Sequence, residues 1–472
     1  MRPLILHTFI FLLCQTIAIA QKAPESYGFH SSELLSLVEL VSSRDIPVHS
    51  MHVSRFDSLF FELYRAPFND EMLHDAASVT KSIISILIWI AQSDGIISGM
   101  DIPAAELLPA IYLQNESSAL RQITVRNLLD MRSGWGCGQA GDEAELTAMR
   151  RSEDWIQDVL SMPFRTEPGT AFSYCSPNYH LLAAIIHYQA GDLLHFARRR
   201  LFEPLGIADV EWPRDPQGVP HGWGDLAMKP SDMLKIGHLL KNEGVWNQQV
   251  IIPSGFFAEI NRNIGAEGYR SGFWFSESEY EANGRGGQRI TIIPSLNIVI
   301  VMTGGGFEPA ILGAKLGGAF SGQDQIPPDS TSYPELLKRI EELKRIPPQK
   351  ASLDSFVHFN GKKYLFSENE LGIDALKLTG NESGPGLQLW LSDGSTIEHP
   401  LRWDGILSVK TVNNMGQAGR IVASTHDSVV IEFDTLSRIN RYNLSLSFAA
   451  DRGAVLEVTD LTNQAGYRLM EN

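Results

Sequence analysis

Apolar and polar residues alternate along residues 49–66, on both sides of Arg55-Phe56-Asp57. This period of two predicts an antiparallel hairpin. A different pattern begins at Ser78, where a nearly continuous apolar run extends towards Gly95. Because the run is apolar on most faces beyond its first turn, it predicts a buried helix that starts at Ser78 and ends at Gly95. A functional residue at the start of such a helix would lie at the floor of a pocket.

Further helices are expected where apolar residues recur with helical spacing between Pro and Gly breaks. They fall at about 124–131, 153–161, 178–190, 230–242 and 252–262. Two strands, at about 288–293 and 297–303, follow them and are joined by Pro294-Ser295-Leu296-Asn297. The natural arrangement of these elements is a sheet with helices on its faces.

The pattern changes after residue 321. Residues 322–350 contain Pro327-Pro328, an amphipathic helix at about 334–345 and Pro347-Pro348, which indicates a domain junction. Residues 351–472 consist of short β-type runs separated by Gly, Asn, Asp and Ser. We therefore expect a first folded domain at 21–321 and a C-terminal all-β sandwich or barrel at 351–472.

The chain has 472 residues and a formal net charge of −16. An acidic surface repels phosphate, so nucleic acids and anionic membranes are disfavoured as partners, and a small molecule or peptide substrate fits better. Residues 1–20 are typical of a secretory signal peptide, with cleavage after Ala20, although a retained anchor is the alternative. We expect a secreted or periplasmic protein without a transmembrane span in its mature chain. Export would permit a disulfide between Cys137 and Cys175, and the alternative is two buried thiols, since two cysteines alone do not decide between them.

The first chemical signal is Ser78-Val79-Thr80-Lys81 at the start of the buried helix. A spacing of three residues puts the hydroxyl and the amine on one helical face. A serine becomes a nucleophile when a base takes its proton, and the helix N-terminus favours the oxyanion that forms. The alternative is an N-cap serine followed by a lysine that extends to the surface.

The second signal is Tyr174, in a loop that runs from Pro168-Gly169 to an apolar helix. A tyrosine there could reach the first motif and carry a proton to the leaving group. The alternative is a tyrosine packed at the base of the loop. The third signal is Asn283-Gly284-Arg285-Gly286-Gly287-Gln288, whose glycines would let a substrate approach and leave N–H groups for an oxyanion. Its alternative is a glycine-rich hairpin turn.

Taken in order, these motifs resemble the serine β-lactamase and penicillin-binding-protein superfamily, especially its class C-like branch of esterases, D-amino-acid-specific peptidases and 6-aminohexanoate-dimer hydrolases. The similarity extends over about residues 48–320. It includes three further stretches: Ile123-Thr124-Val125-Arg126-Asn127-Leu128-Leu129-Asp130-Met131-Arg132-Ser133-Gly134, Leu201-Phe202-Glu203-Pro204-Leu205-Gly206-Ile207, and Pro230-Ser231-Asp232-Met233-Leu234-Lys235-Ile236-Gly237.

The resemblance implies an α/β fold, with an antiparallel sheet flanked by helices plus a helical region, in the first domain. It also implies that Ser78 is acylated and that Lys81 and Tyr174 handle its proton, with the first base left open between them. No metal or cofactor is implied.

Two departures bear on substrate binding. The family's Y-x-N is Tyr174-Cys175-Ser176 here, so a hydroxyl at Ser176 replaces the amide unless Asn178 substitutes. The family's K-T-G or H-x-G is replaced by Gly284-Arg285-Gly286-Gly287-Gln288, which lacks the lysine. Arg285 is then a candidate carboxylate binder or simply an exposed residue, and Gly286 and Gly287 are candidates for binding the oxyanion. Both changes weaken the case for a β-lactam substrate.

Other chemistries have less support in the sequence. It has no G-x-S-x-G, no H-E-x-x-H and no paired C-x-x-C. His180 lies in an apolar helical run and is interpreted as a structural histidine. The sequence therefore favours a serine hydrolase of amides or esters, and the rival is a catalytically silent protein of the same fold that binds peptide, glycan or a protein partner.

Overall fold

The computed structural model describes most of the chain. The described residues are 22–44, 46–113, 120–137, 143–262, 268–345, 361–369, 371–381, 384–401, 408–412, 415–424, 428–434, 441–449, 453–460 and 465–470. The expected signal peptide, residues 1–20 with its cleavage site after Ala20, lies outside them.

Eleven α-helices occur in the described residues. They are α1 Ser31–Ser43, α2 Val79–Ser93, α3 Val125–Leu129, α4 Ala144–Arg151, α5 Trp155–Leu160, α6 Ser176–Ala190, α7 Leu193–Ala197, α8 Pro230–Lys241, α9 Ser254–Ile260, α10 Pro309–Ala319 and α11 Ser332–Leu343. Each helix expected from the sequence pattern is present, with ends shifted by a few residues.

The strands between residues 48 and 304 are short except along the central sheet. They are β1 Val48–Arg55, β2 Ser58–Tyr64, β3 His74–Asp75, β4 Val210–Glu211, β5 Ala227–Met228, β6 Val245–Trp246, β7 Gln249–Val250, β8 Tyr269–Arg270, β9 Phe273–Phe275, β10 Tyr280–Gly284, β11 Gln288–Ile293 and β12 Ile298–Gly304. The expected hairpin around Arg55-Phe56-Asp57 is confirmed as β1–β2, and the expected strand pair as β11–β12.

The central sheet has seven strands in the order β2-β1-β12-β11-β10-β9-β8. All of its neighbouring strands are antiparallel. The N-terminal hairpin pairs with the last strand of the domain, and the hydroxyls of Ser50 on β1 and Thr303 on β12 are 2.8 Å apart. The strands β1 and β12, which are far apart in the sequence, are therefore neighbours in the central sheet.

Helices cover both faces of this sheet and produce two hydrophobic cores. The larger core surrounds α2, whose residues from Val79 to Ala91 are all buried, as the sequence predicts. On the same side, Gly237 of α8 faces Val299 and Ile290 so closely that a Cβ there would lie 2.4 Å from Val299. The smaller core joins α1, α10 and α11 to the other face. In the described residues, no helix combines the length and apolar character needed to cross a membrane.

The C-terminal region is all β, as expected. Its strands are β13 Lys363–Leu365, β14 Ile373–Asn381, β15 Gly384–Leu391, β16 Thr396–Pro400, β17 Ser408–Val412, β18 Met415–Ser424, β19 Ser428–Asp434, β20 Arg441–Ala449, β21 Gly453–Asp460 and β22 Ala465–Met470. They form a four-stranded and a six-stranded antiparallel sheet, each in chain order. One hydrophobic core contains residues of both sheets, including Leu376, Leu387 and Leu444.

Candidate active site

Ser78 stands at the N-terminal end of α2, immediately before its first helical residue. The backbone of Ala77, just ahead of it, has a φ of 48°, in the left-handed region that non-glycine residues seldom occupy. The Asp75 carboxylate accepts a 2.7 Å hydrogen bond from the Ala77 N–H and holds this bend. The half-buried Ser78 side chain is thereby fixed where the helix dipole is positive.

Lys81 lies one turn further along α2, and its Nζ donates a 2.8 Å hydrogen bond to Ser78 Oγ. The same Nζ donates another 2.8 Å bond to the backbone carbonyl of Trp223. Only 1% of the Lys81 surface is exposed. The alternative in which Lys81 extends to the surface is therefore excluded. The Trp223 carbonyl holds the amine next to the serine.

Tyr174 lies in the loop before α6, as the sequence predicts. The centre of its ring is 5.0 Å from Lys81 Nζ. The ring stacks on Trp274 of β9, with centroids 6.0 Å apart and planes at 22°, and meets the edge of Tyr269. These contacts hold Tyr174 next to the amine of Lys81.

Tyr269, whose ring contacts Tyr174, forms a hydrogen-bonded pair with Tyr179. Tyr269 donates to the hydroxyl of Tyr179 at 3.3 Å, and Tyr179 donates to the Leu129 carbonyl at 2.8 Å. Burial raises the pKa of both phenols well above the usual value, so both remain neutral donors. The loop that carries Tyr174 is further fixed by a Cys137–Cys175 disulfide, which resolves the choice between a bridge and two thiols.

The two residues proposed to replace the family's amide occupy different environments. The Ser176 hydroxyl donates to the Glu143 carboxylate, and Ser176 is 1% exposed. Asn178 is fully buried, and its Nδ2 is 3.7 Å from the sulfur of Met131. Ser176 is thus at the start of α6 next to a carboxylate, whereas the Asn178 side chain lies in the interior.

The glycine-rich motif forms the connection between β10 and β11. Gly286 and Gly287 lie in a short 3-10 turn that precedes β11, with φ values of 83° and 98°. Gly284 comes close to the segment that precedes the nucleophile, since a Cβ there would lie 2.7 Å from the Ala76 carbonyl oxygen. Arg285 projects to the surface.

The buried Gln288 side chain holds the glycine-rich turn in position. Its amide donates to the Gly304 carbonyl at 2.7 Å and to the Arg285 carbonyl at 3.2 Å. Its oxygen accepts from the Gly304 N–H at 3.1 Å. The turn is therefore fixed to the end of β12.

A histidine and tryptophan cluster supports the carbonyl that binds Lys81. The Trp223 ring stacks on His221, with centroids 4.4 Å apart, and the His221 Nδ1 lies 2.8 Å from Asp225 Oδ2. His180 is confirmed as a structural residue, since it is fully buried with its Nε2 3.0 Å from Asp215 Oδ2. Burial lowers the pKa of His180, although Asp215 opposes this effect.

The sequence reasoning missed three residues around the predicted group: Trp223 contacts Lys81, Trp274 contacts Tyr174, and Asp75 binds the N–H of Ala77, which precedes Ser78. Trp223 acts through its backbone carbonyl, so its residue type carries no signal. The only available sign was its neighbourhood, His221-Gly222-Trp223-Gly224-Asp225, where two glycines flank a large aromatic residue.

An antiparallel sheet that packs on a buried helix beginning with S-x-x-K defines the class of β-lactamase-like folds. The chain belongs to the beta-lactamase family, because the family model named Beta-lactamase matches residues 37–310, which is more than half of its length. The resemblance inferred from the motifs is thus confirmed. The comparison with curated proteins found no match.

Solved structures share the fold at low sequence identity. A protein assigned as a 6-aminohexanoate-dimer hydrolase from Bacillus anthracis is 20% identical, with 64% of this chain and 80% of that chain covered and a TM-score of 0.50. A penicillin-binding protein from Bacillus halodurans is 14% identical, with 61% and 100% covered and a TM-score of 0.50. A protein named SurE is 19% identical, with 86% and 98% covered and a TM-score of 0.50. At these identities the likeness establishes the fold.

Proposed function

We propose that this protein is a secreted serine hydrolase that cleaves an amide or ester bond through an acyl-enzyme on Ser78. The observation that carries the proposal is the 2.8 Å hydrogen bond between Lys81 Nζ and Ser78 Oγ, formed by a lysine that is almost completely buried. Burying an amine beside a helix-terminal hydroxyl carries a desolvation cost. Nucleophile activation accounts for it.

In the proposed mechanism, Ser78 Oγ attacks the substrate carbonyl carbon while its proton passes to the deprotonated member of the Lys81 and Tyr174 pair, either the neutral amine or the phenolate. The tetrahedral oxyanion is stabilised by backbone N–H groups at Ser78 and at the Gly286-Gly287 turn. The proton then moves to the leaving amine or alcohol, and the C–N or C–O bond breaks. Water, deprotonated by the same pair, attacks the acyl ester and restores the Ser78 hydroxyl, releasing a carboxylic acid.

The surroundings give each group a fixed position. The Trp223 carbonyl directs the amine towards Ser78, and the ring of Trp274 backs Tyr174. Preorganised groups of this kind lower the barrier because they need no rearrangement during the reaction.

For the substrate we propose a small molecule or peptide with an amide or ester carbonyl. The names of two structural relatives refer to a 6-aminohexanoate dimer and to penicillin binding. Arg285, exposed at the glycine-rich turn, is the proposed contact for a substrate carboxylate. Ser176 would act together with Glu143, to which its hydroxyl is bound. We do not include Asn178, because its amide nitrogen lies against the Met131 sulfur, whereas the Ser176 hydroxyl is bound to a carboxylate.

Intact-mass measurement after exposure to a fluorophosphonate tests the nucleophile. We expect one adduct per chain, its loss in Ser78→Ala, and its retention in Ser85→Ala, the matched control on the same helix whose buried hydroxyl has no partner in the described residues. A panel of small esters, amides and nitrocefin would then identify the substrate class. If neither a fluorophosphonate nor a penicillin labels the wild-type chain, the silent binding protein is favoured.

Export and domain organisation complete the proposal. We propose that residues 1–20 are removed on export, that residues 21–321 carry the activity, that 322–350 connect, and that 351–472 form a separate β domain. The mass of the protein recovered from the host tests the cleavage after Ala20. Unchanged kinetics and stability after deletion of residues 351–472 would contradict a role of that region in shaping the cleft.

A further inference from the structure

A second cavity, of about 350 Å³, lies at the end of β2, away from the residues proposed for catalysis. It is lined by two residues of β2, the segment that follows β2, and one residue beyond α11. These are Glu62, Tyr64, Ala66, Pro67, Phe68, Asn69, Asp70, Met72 and Lys344. Its volume is within the range of small-molecule sites.

Tyr64 contributes to this cavity a buried hydroxyl that forms no hydrogen bond with the described residues. The residue is 4% exposed, and within the described parts of the chain its buried hydroxyl has no hydrogen-bond partner. The ring is held by His52, which meets it nearly edge-on at 5.1 Å. A buried hydroxyl without a partner costs about 1–3 kcal/mol, so a ligand that supplied the bond would recover that free energy.

The charge around the cavity is negative. His52, whose Nε2 lies 3.4 Å from Glu62 Oε1, lowers the pKa of that carboxyl and keeps it ionised. Burial, followed by the nearby carboxylates of Glu62 and Asp70, raises the pKa of the Tyr64 phenol, which stays protonated. The site therefore offers two carboxylates and one neutral hydroxyl.

The neighbouring ionic groups are already engaged with one another. Glu71 pairs with Lys229 at 3.1 Å, and Asp232 pairs with Lys235 at 2.7 Å. Lys344, the cation at the cavity, is bound by Glu341, and its charge also helps to lower the pKa of Glu62. Asp70, by contrast, has no ion pair or hydrogen bond from its carboxylate among the residues described. Its charge remains available to a ligand.

We propose that this cavity binds a small organic ammonium ion. The ammonium N–H groups would donate to Asp70, Glu62 and the Tyr64 oxygen, and charge-assisted bonds of this kind are the strongest available there. The apolar part of the ligand would lie against Phe68 and Met72, which are 9% and 7% exposed. The Phe68 ring is held in place because it stacks on His49, with the ring centroids 3.6 Å apart. The inference does not depend on the hydrolase activity.

Isothermal titration of the full chain with n-butylammonium chloride tests the proposal, with butyramide as the neutral probe of similar shape and CaCl₂ as the bare cation. We expect butylammonium to bind, Asp70→Asn to weaken it about tenfold, and Tyr64→Phe to weaken it about threefold to tenfold. Glu39→Gln, which removes an exposed carboxylate from α1 outside the cavity, should leave the affinity unchanged.

Each other outcome would overturn the proposal. Equal binding of butyramide would show an apolar cavity without charge selection, and binding of Ca²⁺ alone would show a simple cation site. Equal loss of affinity in Glu39→Gln and Asp70→Asn would show that only the net charge matters. Ser78→Ala should bind butylammonium with wild-type affinity, so failure here is distinguishable from failure of the proposed hydrolase.

Discussion

Gly222 is the residue whose substitution most directly tests how Lys81 is positioned. A Cβ at this position would lie 2.0 Å from the Tyr179 carbonyl oxygen on α6, whereas ordinary contacts begin at 3.4 Å. In Gly222→Ala, the segment that contains Trp223 must therefore move by about 1.4 Å or displace α6. Because the Trp223 carbonyl is 2.8 Å from Lys81 Nζ, that movement breaks or lengthens the bond that directs the amine.

The expected consequences are separable. Overpacking of this kind lowers the free energy of unfolding by about 1–3 kcal/mol, and a misplacement of about 1 Å near reacting groups costs roughly 100-fold in rate. Urea unfolding measures the first quantity, and the rate of fluorophosphonate labelling of Ser78 measures the second. KM for a reporter ester should change less than kcat, because the substrate contacts are retained.

Gly224→Ala is the matched control in the same segment. A Cβ there would lie 3.6 Å from the Ala77 carbonyl oxygen, which is an ordinary van der Waals contact. We expect Gly224→Ala to label at nearly the wild-type rate. If Gly222→Ala labels as fast as the wild type, or if both variants lose activity equally, the Trp223 carbonyl does not position Lys81.

Three further predictions follow from other contacts. Replacing Trp274 with Leu removes the stacked neighbour of Tyr174 and should slow acylation about tenfold in single-turnover assays; an unchanged rate would remove Trp274 from the positioning group. Burial lowers the pKa of His74 from 6.5 to about 4, so the unfolded chain binds a proton that the folded chain excludes. The free energy of unfolding should therefore fall as the pH drops from about 6.5 to 4, by up to about 3 kcal/mol. Urea unfolding at pH 7 and at pH 5 should show a smaller loss of stability in His74→Gln than in the wild type. An equal loss in both proteins would contradict this prediction. Replacing both Cys137 and Cys175 with Ser opens a loop of 38 positions and should lower the free energy of unfolding by about 4 kcal/mol. This expectation fails if reduction leaves the wild-type Tm unchanged.

The sequence predicted those elements whose signals are local. The apolar run after Ser78 and the alternation around Arg55 each define one element without reference to any other. The helix Pro309–Ala319 was missed because its three glycines and three alanines weaken the helical pattern of apolar residues. The strand Tyr280–Gly284 was missed because Asn283 and Gly284 are typical of turns, yet here Gly284 pairs with Gln288 across the hairpin.

Residue type was sufficient to predict those members of the site that act through a side chain. It was insufficient for those that act through the main chain. Ser78, Lys81 and Tyr174 came from spacing and family resemblance. The carbonyl of Trp223 could not be predicted, because every residue has one and only the folded path selects it. The bond from Ser176 to Glu143 joins residues 33 positions apart, and no local pattern relates them.

The pairing of β1 with β12 has a consequence for biosynthesis. Ser50 leaves the ribosome 253 residues before Thr303, its partner across these two strands. Until then β1 lacks its neighbour, and the unpaired N–H and C=O groups of its edge can pair with other chains. Such long-range closure also slows folding. A nascent or exported chain of this protein would therefore gain from a chaperone that shields residues 48–55 until synthesis has passed residue 304.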